Sequence, residues 1–250
     1  MQQPDVAVWL AEQGWDGALW REPGDFLMVV DANVGYNKAS ARVHREITYQ
    51  VDLRQSPPQA ELTLVYTHTS AMAYPYPCRP EIRYDLVYEL AMERCYWDYL
   101  RVYVPQGSQL LDATRIPVPG RALLSGKDEL GTIAVLPAAE GPWTSLEVLG
   151  LLPPSATQTR LFALTLPKEV VQWKQDEGWY SLRIQKQAGT GDHPVTVQIW
   201  LPEKETEDKE CPDCRSVENK ISRRASKRIS ETLSQMLRTA FFLFFSMNRR

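Results

Sequence analysis

The sequence predicts a mainly β protein: an antiparallel sandwich of Ig-like or jelly-roll-like kind, with a short N-terminal helix and an appended C-terminal helix. Three observations carry this reading. Eight or more short apolar or alternating segments recur at roughly 10–20-residue spacing from residue 25 to residue 202. The amphipathic crossover helices that a parallel α/β sheet needs are missing between them. Beyond Pro202 the composition changes abruptly to a charged and then a basic stretch. The expected organisation is therefore an N-terminal helical segment (1–22), a sandwich domain (23–202), a charged linker (203–216) and a basic amphipathic helical tail (217–250).

Taken in order, residues 4–20 predict a short helix. Pro4 suits a first turn, Val6, Trp9, Leu10 and Gln13 share one face, and Gly14 can end it. Asp25 to Val30 is a short apolar run of the buried-strand type, closed by the turn-forming stretch Asp31-Ala32-Asn33-Val34-Gly35. From Ala41 to Leu53, Val43, Ile47, Tyr49, Val51 and Leu53 alternate with polar residues, with Arg45 standing in the apolar stripe. Ser56-Pro57-Pro58 breaks that strand, and Leu62, Leu64, Tyr66 and His68 then mark one face of the next. A Pro- and Tyr-rich loop covers 73–80, with a turn of helix in 85–95. Strands follow at 98–105, 108–116, 130–136, 144–152 and 159–166, then the clearest pair, 179–187 and 195–201, joined by a Gly-rich connection. In the tail, Ile221, Ala225, Ile229, Leu233, Met236, Ala240 and Phe244 recur at helical spacing.

With 250 residues, 44% apolar and 24% charged, the chain can build a substantial core, which excludes wholesale disorder and collagen-like repeats. Four Cys are too few for a disulfide scaffold. The net charge of -3 hides an asymmetry. Residues 203–214 hold two positive and six negative side chains, and 215–250 hold nine positive and two negative. The start Met1-Gln2-Gln3-Pro4-Asp5 lacks a signal-peptide pattern, and the longest apolar run, Ala240 to Met247, falls well short of a membrane span.

No catalytic motif survives inspection. Gly120 to Lys127 has five residues between its glycines and Asp128 after its Lys, so it departs from a phosphate loop and reads as a surface loop. His44, His68 and His193 are scattered, with no metal-ligand spacing. Asp31, Asp52 and Asp98 are the candidate carboxylates of an all-β glycosidase, a pattern of little specificity. Cys211 and Cys214 form a Cys-x-x-Cys with no second ligand pair, a weak zinc candidate. Cys78 and Cys95 flank one irregular segment, which a disulfide would pin in an oxidising compartment. No cofactor is expected.

The tail offers two contact modes. Arg223, Arg224, Lys227 and Arg228 could meet lipid headgroups while Phe241, Phe242, Phe244 and Phe245 enter the interface. Nucleic-acid phosphates, also reached through Arg215 and Lys220, rank behind the membrane and behind a plain exposed extension.

Four blocks carry a resemblance: Gly14-Trp15-Asp16-Gly17, the run from Asp25 to Lys38, the run from Cys95 to Ser108, and Ile184 to Thr190 with His193-Pro194. In this order, with their rare Trp and Cys positions, they resemble the C-terminal β-rich region of the bacterial family grouped as domain of unknown function 4012, over residues 12–202. The resemblance implies an extracytoplasmic structural or binding domain of a membrane-anchored envelope protein, a Cys78–Cys95 disulfide, and no catalytic residues. The chain departs from the pattern in lacking the family's N-terminal anchor and in its tail after Pro202, so it reads as a fragment of a longer protein. The expected role is a non-enzymatic domain that contacts an envelope protein or polysaccharide. The alternatives are an envelope enzyme acting on polysaccharide or peptidoglycan precursors, and peripheral membrane binding through the tail.

Overall fold

The computed structural model describes residues 4–12, 16–19, 23–70, 78–79, 87–138, 141–175 and 177–202, together with the backbone of 228–233 and 240–248. Thirteen strands, two short α-helices and three single-turn 3-10 helices are defined in this part. The α-helices are α1 (Pro4–Glu12) and α2 (Tyr88–Met92). The strands are β1 (Asp25–Asn33), β2 (Val43–Asp52), β3 (Gln59–His68), β4 (Tyr96–Pro105), β5 (Gln109–Ala113), β6 (Ala134–Pro137), β7 (Trp143–Leu152), β8 (Thr157–Thr165), β9 (Val171–Lys174), β10 (Glu177–Gln185), β11 (Val195–Trp200), β12 (Arg228–Leu233) and β13 (Ala240–Asn248).

The strands form two sheets. One runs β13-β10-β1-β4-β7-β6, with β9 paired to the first half of β10; the other runs β12-β11-β2-β3-β8-β5. The inward face of each is apolar because the strands alternate. Leu27 and Val29 of β1 and Leu100, Val102 and Val104 of β4 meet Tyr49 and Val51 of β2, Leu62 and Leu64 of β3, and Phe162 and Leu164 of β8 in one shared core. The fold is thus a β-sandwich. It differs from the expected antiparallel arrangement in one pairing per sheet: β1 runs parallel to β10 and β2 runs parallel to β11. The connections make this possible, since β10 and β11 are separated from β1 and β2 by more than a hundred residues and need no hairpin.

The first sheet also buries its outer side. Phe26 and Met28, the residues of β1 that point away from the core, pack with Tyr103 and with Trp143, whose ring stacks on Phe26 at 4.2 Å between centroids. Farther along, Trp97 packs with Val118, Ala122, Cys78 and Cys95 and donates its indole N–H to Ala122 O at 3.0 Å. This two-sided burial explains why β1 reads as a continuous apolar run whereas β2 and β3 alternate.

The helical tail expected over 217–250 needs correction. Where its backbone is described it is extended, with β12 beside β11 and β13 beside all nine residues of β10. Ala240 to Phe245 is apolar on every face, so a spacing read over one stripe does not separate helix from strand. Aromatic residues favour extended backbone, and β10 and β11 each offer an edge with unpaired backbone groups. The linker 203–216 lies outside the described residues. The first helix covers Pro4–Glu12, shorter than the expected 4–20, and β9 is a strand absent from the sequence reading.

Candidate functional site

Four charged residues occupy inward positions near one end of the sandwich. Asp31 follows Val29 on β1, Arg45 precedes Ile47 on β2, Asp98 precedes Leu100 on β4, and Arg160 precedes Phe162 on β8. The register sets Asn33 opposite Asp98 and Asp31 opposite Leu100, so the two acids sit two positions apart on neighbouring strands. Arg45 Nη1 pairs with Asp31 Oδ2, and Tyr66 Oη donates to Asp31 Oδ1 at 2.7 Å. Arg160 Nη1 lies 2.7 Å from Asp98 Oδ2, and its guanidinium stands 4.7 Å over the Tyr66 ring. Both ion pairs join one sheet to the other.

Arg160 reaches Asp98 across Gly150 of β7, which is paired with Asp98 in the register. A methyl group on Gly150 would overlap Arg160 Nη2, so the glycine leaves the space the guanidinium fills. Burial and the nearby charge of Asp31 push Asp98 up to about 7, against the pull of Arg160. Burial drives the Tyr66 and Tyr96 phenols above their ordinary value.

Of the three carboxylates that the sequence offered for glycosidase chemistry, Asp31 and Asp98 are therefore brought together and Asp52 is not. Asp52 ends β2 and is gripped within its own turn by Arg54, whose Nε and Nη2 each lie 2.8 Å from its oxygens. This holds the carboxyl below the ordinary range. Asp98 is wholly buried and its accessible positions are taken by Arg160 and Tyr96, so a sugar ring has no route to it.

A second buried acid escaped the sequence reading. Asp25, the first residue of β1, accepts hydrogen bonds from Tyr180 Oη at 2.5 Å, from Tyr49 Oη at 3.0 Å and from the Phe26 amide at 2.8 Å. Burial lifts it to about 6 despite these three donors, and both phenols are pushed well above their ordinary range. Its strand looked like a plain apolar run, and its tyrosine partners are 24 and 155 residues away, beyond any local pattern. The available signal was an acid heading a strand with no apolar neighbour lost to it.

The histidines also divide. His44 is exposed. His68 Nε2–H donates to Arg94 O at 2.9 Å, and its Nδ1 accepts the Ser70 amide at 3.2 Å. Ser70 Oγ bonds to Glu93, which in turn pairs with Arg42 at 2.9 Å. Although Ser70, His68 and Glu93 adjoin one another, both imidazole nitrogens serve backbone groups and neither faces the hydroxyl, so no nucleophile–base relay exists there. His193 lies near Arg45 and Lys186, and burial followed by the Arg45 charge lowers it to about 4.

Cys78 and Cys95 are joined by a disulfide with Cα atoms 5.9 Å apart, next to Trp97. Among the described residues no three His, Cys, Asp or Glu side chains gather as a metal site. Cys211, Cys214, Arg223, Arg224 and Lys227 lie outside the described residues, while Arg228 falls on β12 and Phe241, Phe242, Phe244 and Phe245 fall on β13. In the Gly120–Lys127 stretch the Gly120 amide already donates to Asp128 at 2.6 Å, so an acid stands where a phosphate would have to bind.

A cleft of about 540 Å³ opens at the other end of β1. Pro23, Pro105, Pro142 and Pro167 wall it, with Trp143 at its floor and Gln106 and Glu169 at its rim. The prolines stand where strands start or stop, as expected of a residue that cannot donate to a ladder. The Trp143 indole N–H is buried and meets no acceptor among the described residues.

No family model matches the chain. No curated protein matches it either. Among solved structures it is similar to a Legionella pneumophila protein described as a "putative nutrient binding protein", with 7% identity and a TM-score of 0.33. The similarity covers 71% of this chain, which spans 54% of that protein. At that score nothing is transferred from one protein to the other.

Proposed function

We propose that residues 23–202 form a non-enzymatic, extracytoplasmic binding or structural domain of a bacterial cell-envelope protein. The observation that carries this reading is the fate of the candidate acids. Asp31 and Asp98 tie the two sheets together through Arg45 and Arg160, which makes them structural braces rather than reacting groups. The Cys78–Cys95 disulfide supports an oxidising compartment. The sequence resemblance to domain of unknown function 4012 supports the envelope setting. The cleft beside Trp143 provides the contact surface in this reading, with a size in the range of small-ligand sites and proline and indole walls suited to a sugar or an extended peptide of the envelope.

The decisive experiment is co-sedimentation of the purified chain with envelope polysaccharide and with peptidoglycan, paired with an assay for turnover of the same materials. Binding without turnover, weakened by Gln106→Trp or Glu169→Lys at the cleft rim, is the expected outcome. Turnover that disappears in a folded Asp31→Asn or Asp98→Asn protein would instead establish an envelope enzyme. Thiol trapping of Cys78 and Cys95 in intact cells tests the compartment, and reduced thiols there would overturn it.

A further inference from the structure

The guanidinium of Arg45 is only partly engaged. Its Nη1 holds Asp31 and lies 3.4 Å from Val29 O, whereas its Nε is buried and meets no acceptor among the described residues. The residue is 3% exposed, so bulk water does not serve that N–H. An unserved charged donor in such a position is costly, and native structures supply a partner for nearly all of them.

A cavity of about 20 Å³ is lined by Arg45 together with Lys186, His193 and Gln185 and the aliphatic side chains of Val29, Ile47, Ile184 and Val195. The volume admits one atom-sized occupant. Its walls hold three basic side chains and no carboxylate. The acids that pair with two of these bases, Asp31 with Arg45 and Asp192 with Lys186 at 3.2 Å, stand outside the walls. With a guanidinium, an ammonium and an imidazole among its lining side chains, and Gln185 but no carboxylate beside them, the pocket suits an anion rather than a cation. The aliphatic surround raises the strength of each charge.

We propose that this cavity binds a single halide-sized inorganic anion, accepting a hydrogen bond from Arg45 Nε–H with Lys186 and His193 as flanking bases. The site is independent of the Trp143 cleft and of the proposed envelope role. His193 faces Arg45 and Lys186 on the positive side and Asp31 and Asp192 on the negative side, and without an anion it resists protonation down to about pH 4. An anion in the cavity favours the imidazolium, and by reciprocity the imidazolium favours the anion.

Crystals of the full chain soaked in sodium bromide test the placement. An anomalous bromine peak within hydrogen-bonding reach of Arg45 Nε is expected, and a water there with no anomalous signal would overturn the proposal. NMR titration of His193 tests the coupling: its pKa should be higher in chloride than in sulfate at matched ionic strength, because sulfate is too large to enter. Equal values in the two salts would count against the site. Bromide affinity should fall about tenfold in Lys186→Ala, and in His193→Gln the acid dependence of binding should vanish. Melting temperatures report whether each variant is folded, and unchanged bromide binding in both folded variants would refute the assignment.

Discussion

Arg160 of β8 crosses the sandwich to place its Nη1 2.7 Å from Asp98 Oδ2 of β4, an ion pair almost wholly removed from water. Removing one member leaves the other charge buried alone, so Arg160→Met should destabilise the fold by about 3–5 kcal/mol. Combining it with Asp98→Leu should recover a large part of that loss, because the unpaired carboxylate is then gone. Urea unfolding of the two single variants and the double variant closes the cycle. A single-variant cost below about 1 kcal/mol would show that the pair does not brace the sheets.

Gly150 should tolerate no side chain while Arg160 is in place. Gly150→Ala forces the guanidinium off Asp98 and should lower stability by about 2 kcal/mol or more, in the range of other steric and pairing losses in cores. In an Arg160→Met background the same change should cost much less. Equal costs in the two backgrounds would place the strain elsewhere.

Asp25 and His193 should shape the acid stability curve in opposite senses. The folded-state pKa of Asp25, about 6, lies above the ordinary 3.8, so the stability it contributes is complete below about 3.8 and is lost as pH rises through 6. That of His193, about 4, lies below the ordinary 6.5, so its contribution is complete above 6.5 and is lost as pH falls through 4. From pH 6.5 to pH 4, wild type should therefore gain on Asp25→Asn, by about 2–3 kcal/mol, and lose ground to His193→Gln. Unfolding curves collected across that window distinguish the two, and parallel curves for wild type and Asp25→Asn would contradict the buried, raised carboxyl.

The disulfide closes a loop between residues 17 apart. Replacing both cysteines by serine should lower stability by about 3 kcal/mol in the chain-entropy account, with reductant mimicking the effect in wild type. Thermal melts with and without dithiothreitol provide the comparison. The double-serine protein should be insensitive to reductant.

The parts of this fold legible in the sequence are those governed by local periodicity. Val43 to Leu53 and Ala60 to Thr69 alternate because only one side of β2 and β3 is packed in the core, and the alternation survives into their burial patterns. Arg45 stood out in that stripe, and it proves to be a member of the buried polar cluster. Its partners were not legible, because Asp31, Tyr66, Asp98 and Arg160 belong to four other points in the chain and only strand register brings them together. The same holds for Asp25 with Tyr180. The tail misled for a different reason: every position from Ala240 to Phe245 is apolar, so the helical spacing read along one stripe fits an extended strand equally well.

The two parallel pairings have a consequence for biosynthesis. β1 and β2 leave the ribosome well before their parallel partners, so one flank of each must wait for β10 and β11, made some 150 residues later. At roughly 5–20 residues per second that interval lasts on the order of ten seconds. Throughout it β1 and β2 each present an unpaired backbone flank to any passing extended chain. A nascent protein of this topology therefore needs shelter for β1 and β2 until β10 and β11 are complete.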